Sequence, residues 1–276
     1  MLNFGVKCRV YRPVFLQVRH SFLKRRKTKL LKKIYDKSKI GFAVGWIVAY
    51  CVLMSLGDSL SGMLGVQKSI TLAVAMLLSA VLLTFLAKNR LFGSYGICRP
   101  EASARSMLYY LPLVLMLSAN LWYGFAALNY GALEALLYVF TMLLVGLLEE
   151  IIFRGLLFEA MRGDSPRAAI IVSSLTFGIG HIINLFNGSG AELVPNLLQV
   201  VYATAAGFMF VMMYCKSGSL VACILSHGVF NALSAFANEA DASAEMKIIS
   251  AVLLTVITAS YGAYIAWSIN NEKRNK

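Results

Sequence analysis

The chain is short of charge. Only 14% of its 276 residues are Asp, Glu, Lys or Arg, while 59% are hydrophobic. That excludes the surface of an ordinary soluble domain, and a mean hydropathy of +0.70 points to a polytopic membrane protein. Acid is the scarcer sign, with 13 Asp and Glu against 26 Lys and Arg, a net charge of +13. Thirteen of the basic residues precede Ile40 and most others flank apolar runs, which is how membrane topology and anionic headgroups place them. Nucleic acid is therefore not an expected partner. The five cysteines (Cys8, Cys51, Cys98, Cys215 and Cys223) are odd in number and show no CxxC spacing, so neither a disulfide framework nor a metal knuckle is expected. GxSxG and HExxH are both missing. A covalent nucleophile and a two-histidine zinc helix thus lack their usual signatures. The first 39 residues hold no apolar core, which argues against a signal peptide.

What the chain has in quantity is apolar runs of bilayer length, about 20 residues each. Eight are expected, over 40–60, 69–87, 107–127, 132–157, 167–186, 195–215, 219–237 and 247–269. The fold class is therefore all-α, a polytopic helical bundle of about eight transmembrane helices. Residues 1–39 form a basic cytoplasmic or membrane-surface arm, 40–269 the bundle and 270–276 a cytoplasmic tail. Gly41 and Gly45 give the first run a small-xxx-small face suited to helix packing. Pro166 and Pro195 suit helix starts. Across alternate loops, 23 basic residues fall on one side and only Lys68 and Lys247 on the other. The positive-inside rule then puts both termini in the cytoplasm.

Polar groups inside such runs need an explanation, because a charge in hydrocarbon costs from about 3 to more than 10 kcal/mol unless partnered. The chain centres on Glu149-Glu150-Ile151-Ile152-Phe153-Arg154. Glu150 and Arg154 are i and i+4 and can pair on one helix face. Glu149 sits about 100° round, left for chemistry. Phe177 and His181 share a face in the fifth run, as do His227 and Asn231 in the seventh. Counting at helical rise puts Glu149, His181, His227 and Asn231 at roughly 12–20 Å from the cytoplasmic side, a common depth on three helices. Glu134, near the outer end of its run, is expected to snorkel. Singly, each histidine or amide is as well explained as interhelical glue; together they point to a site. A carboxylate and an imidazole can hold and deprotonate a water, while a second imidazole and an amide donate to an oxyanion. That chemistry hydrolyses an amide bond.

Glu149-Glu150-xxx-Arg154, Phe177-xxx-His181 and His227-xxx-Asn231, in that order, resemble the three-motif signature of the CAAX protease and bacteriocin-processing (CPBP, or Abi) family of intramembrane endopeptidases. Phe153-Arg154-Gly155-Leu156-Leu157 and Gly218-Ser219-Leu220 agree, with a weaker echo in Gly96-Ile97-Cys98-Arg99-Pro100. The resemblance covers about residues 130–236. It implies Glu149 as catalytic base, supported by Glu150 and Arg154, with Phe177 packing the site. His181 would position or help activate the water, and His227 with Asn231 would form the oxyanion hole. The family is commonly labelled metalloprotease; a divalent metal such as zinc would draw on Glu149, His181 and His227, and a metal-free glutamate mechanism fits the same residues.

The expected function is therefore an intramembrane endopeptidase acting near the cytoplasmic face, in what the relatives suggest is a bacterial plasma membrane. Its expected partners are a peptide or membrane-protein substrate, prenylated or a bacteriocin precursor, and anionic lipid headgroups for the basic arm. Two other classes stand against it. A non-catalytic self-immunity or scaffold protein keeping the protease fold has no need of an unpaired acid in lipid. A proton-coupled transporter would use the same Glu and His groups as a relay, but no convincing inverted repeat encourages it.

Overall fold

A computed structural model describes residues 24–101, 111–124, 130–187, 192–238 and 242–274. The arm before Lys24, the ends of the third run, Cys8, Arg105, Glu239, Asp241 and Lys276 lie outside them. Among the described residues every regular element is helical. In chain order these are α1 (Lys24–Lys37), α2 (Lys39–Met63), α3 (Ser69–Lys88), α4 (Leu111–Ser118), α5 (Ala132–Arg162), α6 (Pro166–Gly180), α7 (Leu193–Ser217), α8 (Val221–Leu233) and α9 (Ala244–Arg274).

Among the described residues six helices are long and apolar enough to cross a bilayer: α2, α3, α5, α6 with the turn that follows it, α7 and α9. The third and seventh runs form shorter apolar helices, Pro112–Leu121 and Val221–Phe236. The result is a multi-pass helical membrane bundle. In α2 one face (Phe42, Trp46, Tyr50, Met54) is buried and another (Val44, Val48, Val52, Leu56) is exposed, yet both are apolar. A helix apolar all round suits a bundle whose outside is lipid. Local chemistry sets the boundaries. Ser38 and Ser165 cap α2 and α6 by accepting from Gly41 N and Ala168 N, and Pro166 stands in the first turn of α6. α9 continues to Arg274, past the expected end of the bundle at residue 269.

Two expectations change. Gly41 and Gly45 make no helix crossing among the described residues: both are exposed, and a Cβ at Gly45 would meet nothing there. A close crossing instead joins α5 to α8, where a Cβ on Gly146 would come within 2.5 Å of Gly228 N and 2.6 Å of its Cα. Spacing alone showed only that small residues share a face, not what stands opposite them. Glu134 does not merely snorkel; its Oε1 accepts from the backbone of Gln67 at 2.9 Å, tying α5 to the α2–α3 turn.

The crossing at Gly146 leads to a prediction. Gly146→Ala must push α8 aside, at a cost of about 1–3 kcal/mol for overpacking. Its melting temperature in detergent is expected to fall by several degrees, and wild-type melting would contradict the crossing.

Segment 96–101 lies along the α7–α8 connection. Gly96 O accepts from Leu220 N (2.8 Å), Cys98 O from the Ser219 hydroxyl (2.6 Å), and Glu101 N donates to Ser217 O (2.9 Å). The Gly96–Pro100 stretch therefore braces the start of α8, and with it the approach to His227.

Candidate active site

α5 brings the carboxylates. From Glu150 to Phe158 it widens into a π-helix, a rare form that often marks functional sites. All nine residues of that segment are buried. Gly146 stands one turn before the two glutamates and Gly228 directly follows His227, so the close α5–α8 crossing presses the imidazole against both acids.

His227 stands between them. Its Nδ1 is 2.8 Å from Glu150 Oε1 and its Nε2 is 3.4 Å from Glu149 Oε2. Adjacent acids that diverge along the helix thus address opposite nitrogens of one ring. Phe210 of α7 stacks on that ring with centroids 5.4 Å apart, and Phe177 meets it edge-on at 5.5 Å. Two aromatic walls therefore limit where the imidazole can turn.

Glu150 and Arg154 are both fully buried, with Arg154 Nη1 3.0 Å from Glu150 Oε1. The contact is close but poorly aligned: none of the three Arg154 nitrogens has a well-formed hydrogen bond among the described residues. The guanidinium instead lies over Phe177 at 4.1 Å and near Phe210 at 5.5 Å. Cation–π attraction and the Glu150 charge hold it there. Phe177 is therefore a hub, touching Arg154, His227, His181 (5.3 Å) and Phe153 (5.4 Å).

His181 ends α6 and opens a short 3-10 turn. Its Nδ1 faces the Phe177 carbonyl at 3.1 Å, which leaves Nε2 for other work. Asn196, buried on α7, donates to the His181 carbonyl at 2.9 Å and fixes that turn. His181, His227 and Asn231 line one cavity of about 50 Å³ with Gln199, Tyr202 and Thr258, and small residues Ala203 and Ala206 leave the space open. That is room for a few waters. Neither glutamate lines it. The structure thus brings Glu149, Glu150, Arg154, Phe177 and His227 into direct contact, and sets His181 and Asn231 on the cavity beyond the His227 ring.

Sequence reasoning missed Tyr50, Asn196 and Phe210. Tyr50 of α2 donates its hydroxyl to Glu149 Oε1 at 2.7 Å across 99 positions of sequence. A tyrosine in an apolar run gives no local sign of such a partner. Asn196, a polar residue just after Pro195 in an apolar run, was the more visible signal.

Zinc would need three convergent protein donors. Among the described residues no three His, Cys, Asp or Glu side chains converge in that way. Both nitrogens of His227 face carboxylates, and a guanidinium stands beside Glu150. As placed, the residues do not fit a bound metal.

Residues 131–233 match the family model described as Type II CAAX prenyl endopeptidase Rce1-like. This segment is an Rce1-like domain. The match agrees with the resemblance carried by the three motifs. No curated protein and no solved structure gives a match to the chain. The Rce1-like domain contains Glu149, Glu150, Arg154, Phe177, His181, His227 and Asn231, and its family is one of proteases. Tyr50 lies outside the matched residues, on α2.

Proposed function

We propose that the chain is an intramembrane endopeptidase that hydrolyses a peptide bond with a water activated at Glu149. The observation that carries this reading is the placement of one carboxylate, Glu149, against His227 while a second, Glu150, is occupied by Arg154 and the same ring. An inert bundle has no use for two acids around one imidazole in lipid.

Nδ1–H donating to Glu150 leaves His227 Nε2 as the working nitrogen. A water bound beside Glu149 Oε2 and Nε2 loses a proton to Glu149 as its oxygen attacks the scissile carbonyl carbon. The resulting oxyanion accepts a hydrogen bond from the Asn231 amide. Collapse of the tetrahedral intermediate breaks the C–N bond, and Glu149 returns its proton to the leaving amine. His181, on the cavity beyond the ring, serves as a further acceptor that orients the water. The substrate class is a peptide or membrane-protein segment reaching the site from the cytoplasmic side, prenylated as for CAAX proteins or a bacteriocin precursor. Both termini in the cytoplasm of a bacterial plasma membrane, with α1 against anionic headgroups, complete the reading.

The test is cleavage of a peptide panel, including a prenylated CAAX peptide, by purified protein in lipid nanodiscs. Wild type is expected to cleave, with and without chelator. Asn231→Ala is expected to lower kcat about 10²–10³-fold with KM little changed, since the amide acts on the transition state. An Asn231→Ala loss confined to KM would remove that residue from the oxyanion role. Normal cleavage by Glu149→Ala would remove the reading as a whole.

A further inference from the structure

The phenol of Tyr50 is a hydrogen-bond donor on the proposed base, and it comes from α2, outside the Rce1-like domain. Tyr50 is buried among Trp46, Met54 and Phe42 on the inner face of α2. Its ring is therefore fixed by packing and its hydroxyl has one defined direction. That direction ends on Glu149 Oε1 at 2.7 Å, within the range of a hydrogen bond to a charged oxygen. The other oxygen, Oε2, is the one 3.4 Å from His227 Nε2. One oxygen is taken from α2 and the second is turned to the imidazole of α8.

A glutamate carboxyl otherwise turns freely about its last torsion, whose preference is broad and two-fold. Removing the phenol would let Oε2 leave the line to His227, and small misplacements of a reacting group are costly. We propose that Tyr50 is a positioning residue of the Glu149 centre, and that α2 thereby completes a site the Rce1-like domain does not contain in full. The proposal rests on the reading of Glu149 as the base. Tyr50 acts through Glu149, the group its hydroxyl meets.

A buried tyrosine hydroxyl needs a partner whatever its role, so the chain's own comparison is useful. Tyr95 is also buried and donates to the Tyr35 hydroxyl at 2.7 Å, away from the two acids. Tyr50→Phe and Tyr95→Phe each delete one buried phenol bond, and only the first faces Glu149.

With the prenylated CAAX peptide as probe, Tyr50→Phe is expected to lower kcat about ten- to a hundredfold, the range of a hydrogen bond to a charged group. KM should stay within about twofold of wild type, a pattern of lost transition-state positioning. Tyr95→Phe should keep wild-type kcat. A Tyr50→Phe kcat within twofold of wild type, or a change confined to KM, would overturn the proposal while an inactive Glu149→Gln left the base in place. An active Glu149→Gln would instead overturn the reading beneath it. A second measurement needs no substrate: melting of Tyr50→Phe, Glu149→Ala and the double variant in nanodiscs. Non-additive shifts support the bond, and additive shifts overturn it.

Discussion

Glu149→Gln is expected to lower kcat by about 10²–10⁴-fold, the usual worth of a positioned general base. Glutamine keeps an acceptor for the Tyr50 phenol and nearly the same volume, so the change removes proton-accepting power and little else. Glu149 is also the less buried of the two acids, with a side chain 12% exposed against 0% for Glu150. Its melting temperature should therefore stay within a few degrees of wild type. Rate and melting, measured on one preparation in nanodiscs, check both halves. A variant that cleaves normally would end the general-base role, and one that unfolds would make Glu149 a structural acid.

Arg154→Ala should do the reverse and remove stability with activity. The guanidinium is fully buried, 3.0 Å from Glu150 and in contact with two aromatic rings. Removing it leaves Glu150 buried with His227 as its remaining charged or polar partner. Breaking a buried pair by deleting one member costs about 3–5 kcal/mol, and the emptied space between Phe177 and Phe210 adds to that. Melting in detergent is expected to fall by on the order of ten degrees, with cleavage lost because His227 is no longer held by a fixed Glu150. Lysine at this position restores charge without the flat fork that lies over Phe177, so it should rescue stability only in part. Unchanged melting of Arg154→Ala would show that the pair contributes nothing to the fold.

The sequence disclosed the parts of this centre whose physics is local. Apolar runs of bilayer length have one natural environment, so the helices and their order were legible. Glu150 and Arg154 were readable as a pair because four residues bring them to one face. What was not legible depends on which helix stands opposite which. Glu149 and His227 were assigned separate tasks, yet they meet across a crossing set by Gly146 and Gly228, and no spacing within either helix encodes that approach. The π-helix from Glu150 to Phe158 is likewise invisible to a count at 3.6 residues per turn. Tyr50 was hidden for a plainer reason: it is one of 13 tyrosines, and its meaning lies 99 positions away.

The most direct test of the central claim is a single turnover in water labelled with heavy oxygen, reading the new carboxyl group of the product. If Glu149 activates a water that attacks the peptide carbonyl, the label must enter that carboxyl in the first turnover. If the first-turnover product carries only ordinary oxygen, a protein carboxylate attacked the carbonyl itself, and the water-activating role of Glu149 is wrong.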